Sequence, residues 1–166
     1  MNRWQTFGLL LTTLLVGVLV AGLMPAMSQG GGQRFVLCEK NGKQDFEQDI
    51  DTDGDGQFSV GDMFVFSEPT FDSNGKRIGK TAGSGTVIRT YGERDALVAI
   101  TVNAQIDGGE LEIQGAVKGS NFRKSPAFAI VGGTGRFAGA GGSLTVDEGV
   151  GCGGFGRGDK ITVDLN

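Results

Sequence analysis

The chain has 166 residues, among them 31 glycines and no histidine, and a formal charge of −4. That length holds one domain, and the missing histidine excludes Ser-His-Asp and Cys-His catalysis and the common zinc ligand sets. An acidic balance, without a basic stripe carrying interleaved aromatics, excludes nucleic acid as a partner.

The N-terminus reads as an export signal helix spanning residues 1–28. Phe7 to Met24 is almost wholly apolar, Arg3 is the one charge before it, and Pro25-Ala26-Met27-Ser28 supplies a small-residue exit site. Cleavage after Ser28 leaves residues 29–166 as a single domain, secreted or periplasmic, with no membrane partner. An uncleaved anchor is the alternative, because an apolar run of 18 residues is at the lower limit for a span. The run is not followed by a cysteine, which argues against lipoprotein processing. In an exported chain the only two cysteines, Cys38 and Cys152, read as one disulfide. Closing so long a loop stabilises by up to ~4–5 kcal/mol on the chain-entropy model.

Next comes an acidic loop, Asp51-Thr52-Asp53-Gly54-Asp55-Gly56-Gln57 through Asp62. Carboxylates at positions one, three and five, a glycine at six and an acid at twelve reproduce the spacing by which calcium loops surround a hard cation with oxygen. Asp51, Asp53, Asp55 and Asp62 would give side-chain oxygens and Gln57 its backbone carbonyl. The flanks carry no helical pattern, so a calcium site here is a helix-free one. The alternative is an Asp/Gly-rich surface turn in which Asp62 caps the following strand. No organic cofactor motif is present: Gly133-Thr134-Gly135-Arg136-Phe137-Ala138 fits a dinucleotide fingerprint, but Gly139-Ala140-Gly141-Gly142 forbids the helix it needs.

The remainder alternates in short segments between turn signals, an all-β pattern. Strands are expected at residues 34–39, 63–67, 85–90, 96–104, 110–117, 127–131, 143–146 and 160–165. Turns are expected at Asp72-Ser73-Asn74-Gly75 and Asp107-Gly108-Gly109. Val98, Ile100 and Val102 share one strand face, as do Leu111 and Ile113, so these strands are half buried. Eight antiparallel strands fit a closed barrel, which removes both edges; a sandwich is the alternative.

Among single residues, Glu68 lies in an expected barrel-mouth segment, where an apolar cavity would raise its pKa and suit it to general acid or base work. Tyr91, the one tyrosine, is a second proton-transfer candidate, although a strand-end aromatic at a polar turn needs no catalytic role. Phe64, Phe66, Phe71 and Phe128 are candidates to line a ligand cavity, or to form plain core.

The segments Gly61 to Phe66, Phe71 to Gly83, Leu111-Glu112-Ile113-Gln114-Gly115 and above all Ala129 to Ala140, with its Gly132-Gly133-Thr134-Gly135-Arg136-Phe137 core, resemble the allene oxide cyclase and dirigent superfamily. The resemblance covers Gly61 to Val146. It implies an eight-stranded antiparallel barrel with an apolar interior cavity, assembled as a homotrimer. Its members close a ring in an unstable fatty-acid epoxide or steer the coupling of phenoxy radicals. Aligned on these motifs, the cyclases' first-strand glutamate and asparagine fall on Val36 and Cys38, and a later asparagine and cysteine on Glu68 and Gly85. The dirigent arginines fall on Ala138 and Gly141. The frame of turns, glycines and core positions is kept while most of the family's polar pocket is replaced.

Two functions compete on this reading. One is an exported barrel that binds a small apolar molecule and guides cyclisation or coupling of a reactive intermediate, as an isomerase or stereochemical guide. The other is a non-catalytic, calcium-stabilised structural or interaction domain.

Overall fold

The computed structural model describes residues 32–40, 46–92 and 95–166. The export signal and its cleavage site lie outside the described residues.

Among the described residues nine strands form one antiparallel sheet: β1 (Gln33–Lys40), β2 (Phe46–Ile50), β3 (Met63–Phe71), β4 (Arg77–Thr90), β5 (Ala96–Ile106), β6 (Gly109–Lys118), β7 (Ala127–Gly135), β8 (Gly142–Asp147) and β9 (Gly158–Leu165). The order is β1-β9-β8-β7-β6-β5-β4-β3-β2, and β1 also pairs with β3. That last pairing, Cys38 with Phe71 and Glu39 with Thr70, closes a barrel of eight strands. β2 lies outside the closure, hydrogen-bonded along the first half of β3 from Phe46↔Ser67 to Ile50↔Met63. The eight-stranded barrel is as expected, and β2 is an addition to it. Its sequence, Phe46-Glu47-Gln48-Asp49-Ile50, is exposed throughout and so carries no alternation to read.

The interior follows from strand alternation. Val98, Ile100, Ala104 and Ile106 of β5 face Leu111, Ile113 and Val117 of β6, and Leu111 and Val163 are wholly buried. One end of this core is plugged: Phe137, in the turn after β7, is 3% exposed, and its ring stacks on Phe35 of β1 at 6.1 Å. The glycine-rich signature builds that plug. Gly135 turns the chain at φ +58, and a Cβ there would meet the Gly108 carbonyl oxygen at 2.2 Å.

The barrel strands run longer than expected, β3 on to Phe71 and β4 and β7 through glycine-containing segments. β4 continues back to Arg77 through Gly83 and Gly79, and β7 forward to Gly135 through Gly132 and Gly133. Within the barrel aromatic rings occupy the side-chain space of two β4 glycines: Cβ atoms at Gly83 and Gly85 would strike the rings of Phe66 and Phe64. A short 3-10 helix, Gly119–Lys124, links β6 to β7 and is the one helical element among the described residues. No described helix is long and apolar enough to cross a membrane.

The expected disulfide is present. Cys38 and Cys152 are bonded with their Cα atoms 5.4 Å apart, tying the closing strand to the loop before β9.

Candidate functional site

Away from the Phe35–Phe137 plug, the barrel holds a cavity of about 210 Å³. Its walls are apolar: Leu37, Ile100, Ile113, Leu144 and Ile161 from five strands, with the rings of Phe64, Phe66 and Phe128. Phe122 of the 3-10 helix and Pro126 border it where β7 begins.

Against that apolar wall stand the carboxylates of Glu39, Glu68, Glu148 and Asp159. Strand register brings three of them to one layer. Glu39 pairs with Asp159 across β1–β9 and with Thr70 across β1–β3, two residues from Glu68, which itself pairs with Thr81 of β4. The Thr70 and Thr81 hydroxyls are 2.7 Å apart, and Thr81 is hydrogen-bonded to the Glu39 carboxyl. Among the described residues, Glu39 Oε1 is buried without a hydrogen-bond partner. Burial, reinforced by the charges of Glu68 and then Asp159 and only partly offset by Thr81, pushes the Glu39 carboxyl up to about 8. At neutral pH it is chiefly a neutral acid with a proton to donate.

The candidate residues divide between this cavity and other places. Glu68, Phe64, Phe66 and Phe128 line it. Phe71 does not; its ring meets Phe155 edge-on at 4.9 Å, beside the disulfide. Tyr91 is 41% exposed on the outside, with the Lys118 ammonium 4.5 Å and the Arg89 guanidinium 5.2 Å from its ring centre.

Glu39 was not among the expected site residues. Leu37 and Glu39 line the cavity, so Val36 and Cys38, the positions aligned with the family's first-strand pair, point the other way. The alternation Phe35, Leu37, Glu39 was the available signal. Ala138 and Gly141 lie in the turn between β7 and β8 and do not line the cavity.

The acidic loop forms a separate site. Carboxylate oxygens of Asp51, Asp53 and Asp55 lie within 4.8 Å of one another, close enough to hold a metal ion. Asp51 accepts hydrogen bonds from Gly54 N at 2.7 Å and Gly56 N at 2.8 Å, and these hold its carboxyl below the usual range. Asp62 is not in that cluster. One of its oxygens accepts from Thr52 N and Thr52 Oγ1, both at 2.9 Å, and the other from Ser59 N at 2.8 Å. It therefore joins Thr52 to Ser59 across the loop. Gln57 is exposed, and its backbone N–H donates to Asp55 Oδ1 at 2.7 Å.

Several solved structures share this architecture. A pyocyanin demethylase superposes with a TM-score of 0.63 at 24% identity, over 82% of this chain and 100% of that one. A nonspecific heme-binding cyclase that catalyses a cycloaddition in neoabyssomicin biosynthesis gives 0.59 at 14% identity, over 83% of this chain and 65% of that one. A pterocarpan synthase dirigent protein gives 0.56 at 17% identity, over 81% and 92%. No curated protein sequence matches the chain. The family described as the allene oxide cyclase barrel-like domain matches residues 42–148. With that match and the closed barrel in hand, the chain belongs to the allene oxide cyclase barrel-like family.

Proposed function

We propose that this is an exported barrel that binds a small apolar molecule in its interior and guides the cyclisation or coupling of a reactive intermediate. The observation that carries the reading is the apolar cavity of about 210 Å³, kept open in a barrel whose other end is plugged. Such a space restricts a flexible or reactive molecule to a few folded conformers, and positioning alone accelerates and steers ring closure. The activities named for the structural neighbours, a cyclase and a pterocarpan synthase dirigent protein among them, are in keeping with it. Export rests on the apolar run and exit site of residues 1–28.

Mass spectrometry of small molecules that copurify with the native protein tests the binding. A recurrent apolar metabolite, displaced when Phe66→Trp fills the cavity, is the expected result; repeated emptiness together with no uptake of apolar dyes removes the reading. Intact mass of the mature protein tests the export signal, with loss of residues 1–28 expected.

A second reading, a calcium-stabilised structural domain, draws on the Asp51, Asp53 and Asp55 cluster. Its ion would be a hard cation such as calcium, since every donor is oxygen. The two readings are separable because the loop and the cavity can be altered independently.

A further inference from the structure

Among the described residues the cavity's charged groups are all acidic. Glu39, Glu68, Glu148 and Asp159 line it, and no lysine or arginine does so among the described residues. An anion entering this space would meet carboxylates at short range in a medium of lower dielectric than water. Glu39 differs from the other three. Its Oε1 is buried in the cavity wall without a partner, while Thr81, itself bonded to Thr70, is hydrogen-bonded to the carboxyl and fixes its position. A buried polar atom with nothing to bond is costly, and a ligand atom that bonds it recovers that cost.

We propose that the cavity selects an uncharged or weakly basic aromatic or conjugated molecule that presents a hydrogen-bond acceptor, a ring nitrogen or a carbonyl oxygen, to Glu39, and that it refuses anions. This rests on the cavity-binding reading above and narrows its substrate class: carboxylate-bearing lipids are excluded. The neutral carboxyl donates its O–H to the acceptor and thereby draws electron density from the ligand's conjugated system, the direction that favours attack on it by a nucleophilic carbon or oxygen. Among the described residues the charged groups acting on Glu39 are Glu68 of β3 and Asp159 of β9, both acids, with the Thr81 hydroxyl bonded to it and Thr70 its cross-strand partner; Glu148, after β8, lines the same cavity. The donor is lost as pH rises through about 8, where Glu39 ionises.

Three tricyclic probes, the first two isosteric, test this by equilibrium dialysis with fluorescence detection: acridine, which has a ring nitrogen, anthracene, which lacks it, and anthracene-9-carboxylate. Acridine should bind about tenfold tighter than anthracene and the carboxylate at least about tenfold weaker, the worth of one bond to a buried, otherwise unsatisfied group. The acridine preference should fade above about pH 8 while anthracene binding stays level. Glu39→Leu should erase the preference and keep anthracene binding, and Glu39→Gln, whose amide still donates, should retain a preference that no longer depends on pH. Equal binding of acridine and anthracene, tight binding of the carboxylate, or a preference that survives Glu39→Leu overturns the proposal and leaves the cavity reading standing. If none of the three binds, both fall.

Discussion

The ring of Phe64 on β3 packs on Gly85 of β4, its cross-strand partner, so closely that a Cβ at Gly85 would meet Phe64 Cε1 at 2.3 Å. Phe66 and Gly83 repeat the arrangement one pair along, at 2.8 Å to Phe66 Cζ. The glycines thus set the cavity's size: the aromatic rings fold onto them instead of projecting across the barrel. Gly85→Ala should drive Phe64 inward, destabilise the barrel by about 1–3 kcal/mol as overpacking does, and reduce uptake of apolar ligands. Chemical denaturation with a dye-uptake assay checks both; a variant of unchanged stability and uptake would show that the ring is free to move elsewhere.

Glu39 ties stability to pH with a sign opposite to that of an ordinary salt-bridged carboxylate. Its carboxyl is raised from 4.5 to about 8 in the folded protein, so the native state holds a proton that the unfolded chain has released. That contribution is complete below the unfolded value and declines as pH rises toward about 8, by at most ~1.4 kcal/mol per pH unit. Denaturant melts of the wild type and Glu39→Gln between pH 5 and 8 should therefore converge in the acid range and separate in the variant's favour as pH rises. Parallel curves would mean that the carboxyl is better solvated than its surroundings suggest.

Breaking the Cys38–Cys152 bond should cost about 2–5 kcal/mol. The bond spans 114 residues and anchors the loop before β9 to the strand that closes the barrel. Cys38→Ser with Cys152→Ser should melt lower than the wild type, and adding reductant should lower the wild type alone. Reduction that leaves the melting temperature unchanged would remove the bond's stabilising role.

Calcium and the turn itself make separable demands on the acidic loop. If a cation is held by Asp51, Asp53 and Asp55, saturating calcium should raise the melting temperature, by ~2.7 kcal/mol of stability at a hundredfold excess over its dissociation constant. Asp53→Ala should abolish the gain, whereas Gln57→Ala should keep it. Asp62→Ala should destabilise the protein with or without calcium, because Thr52 and Ser59 lose the acceptor that joins the loop's ends. No calcium response together with a destabilised Asp62→Ala would leave the loop a turn only.

The all-β class, the eight barrel strands, the hairpin turns and the disulfide were all legible in the chain, because alternation with period two, turn residues and a cysteine pair are local or countable features. So were Glu68, Phe64, Phe66 and Phe128 as cavity candidates, since inward positions recur every second residue. What escaped the sequence depended on which strand lies beside which. β2 is a strand only because the free stretch of β3's edge accepts it, and the glycines of β4 and β7 are strand residues only because rings and backbone from their neighbours occupy the missing side chains' space. Glu39 shows the limit best. Its raised pKa comes first from burial in the closed barrel and then from Glu68 and Asp159, 29 and 120 positions along the chain, brought beside it by register and by barrel closure. A one-residue choice of face decides whether it points into the cavity or away, and only the closed sheet makes that choice, by burying one face and not the other.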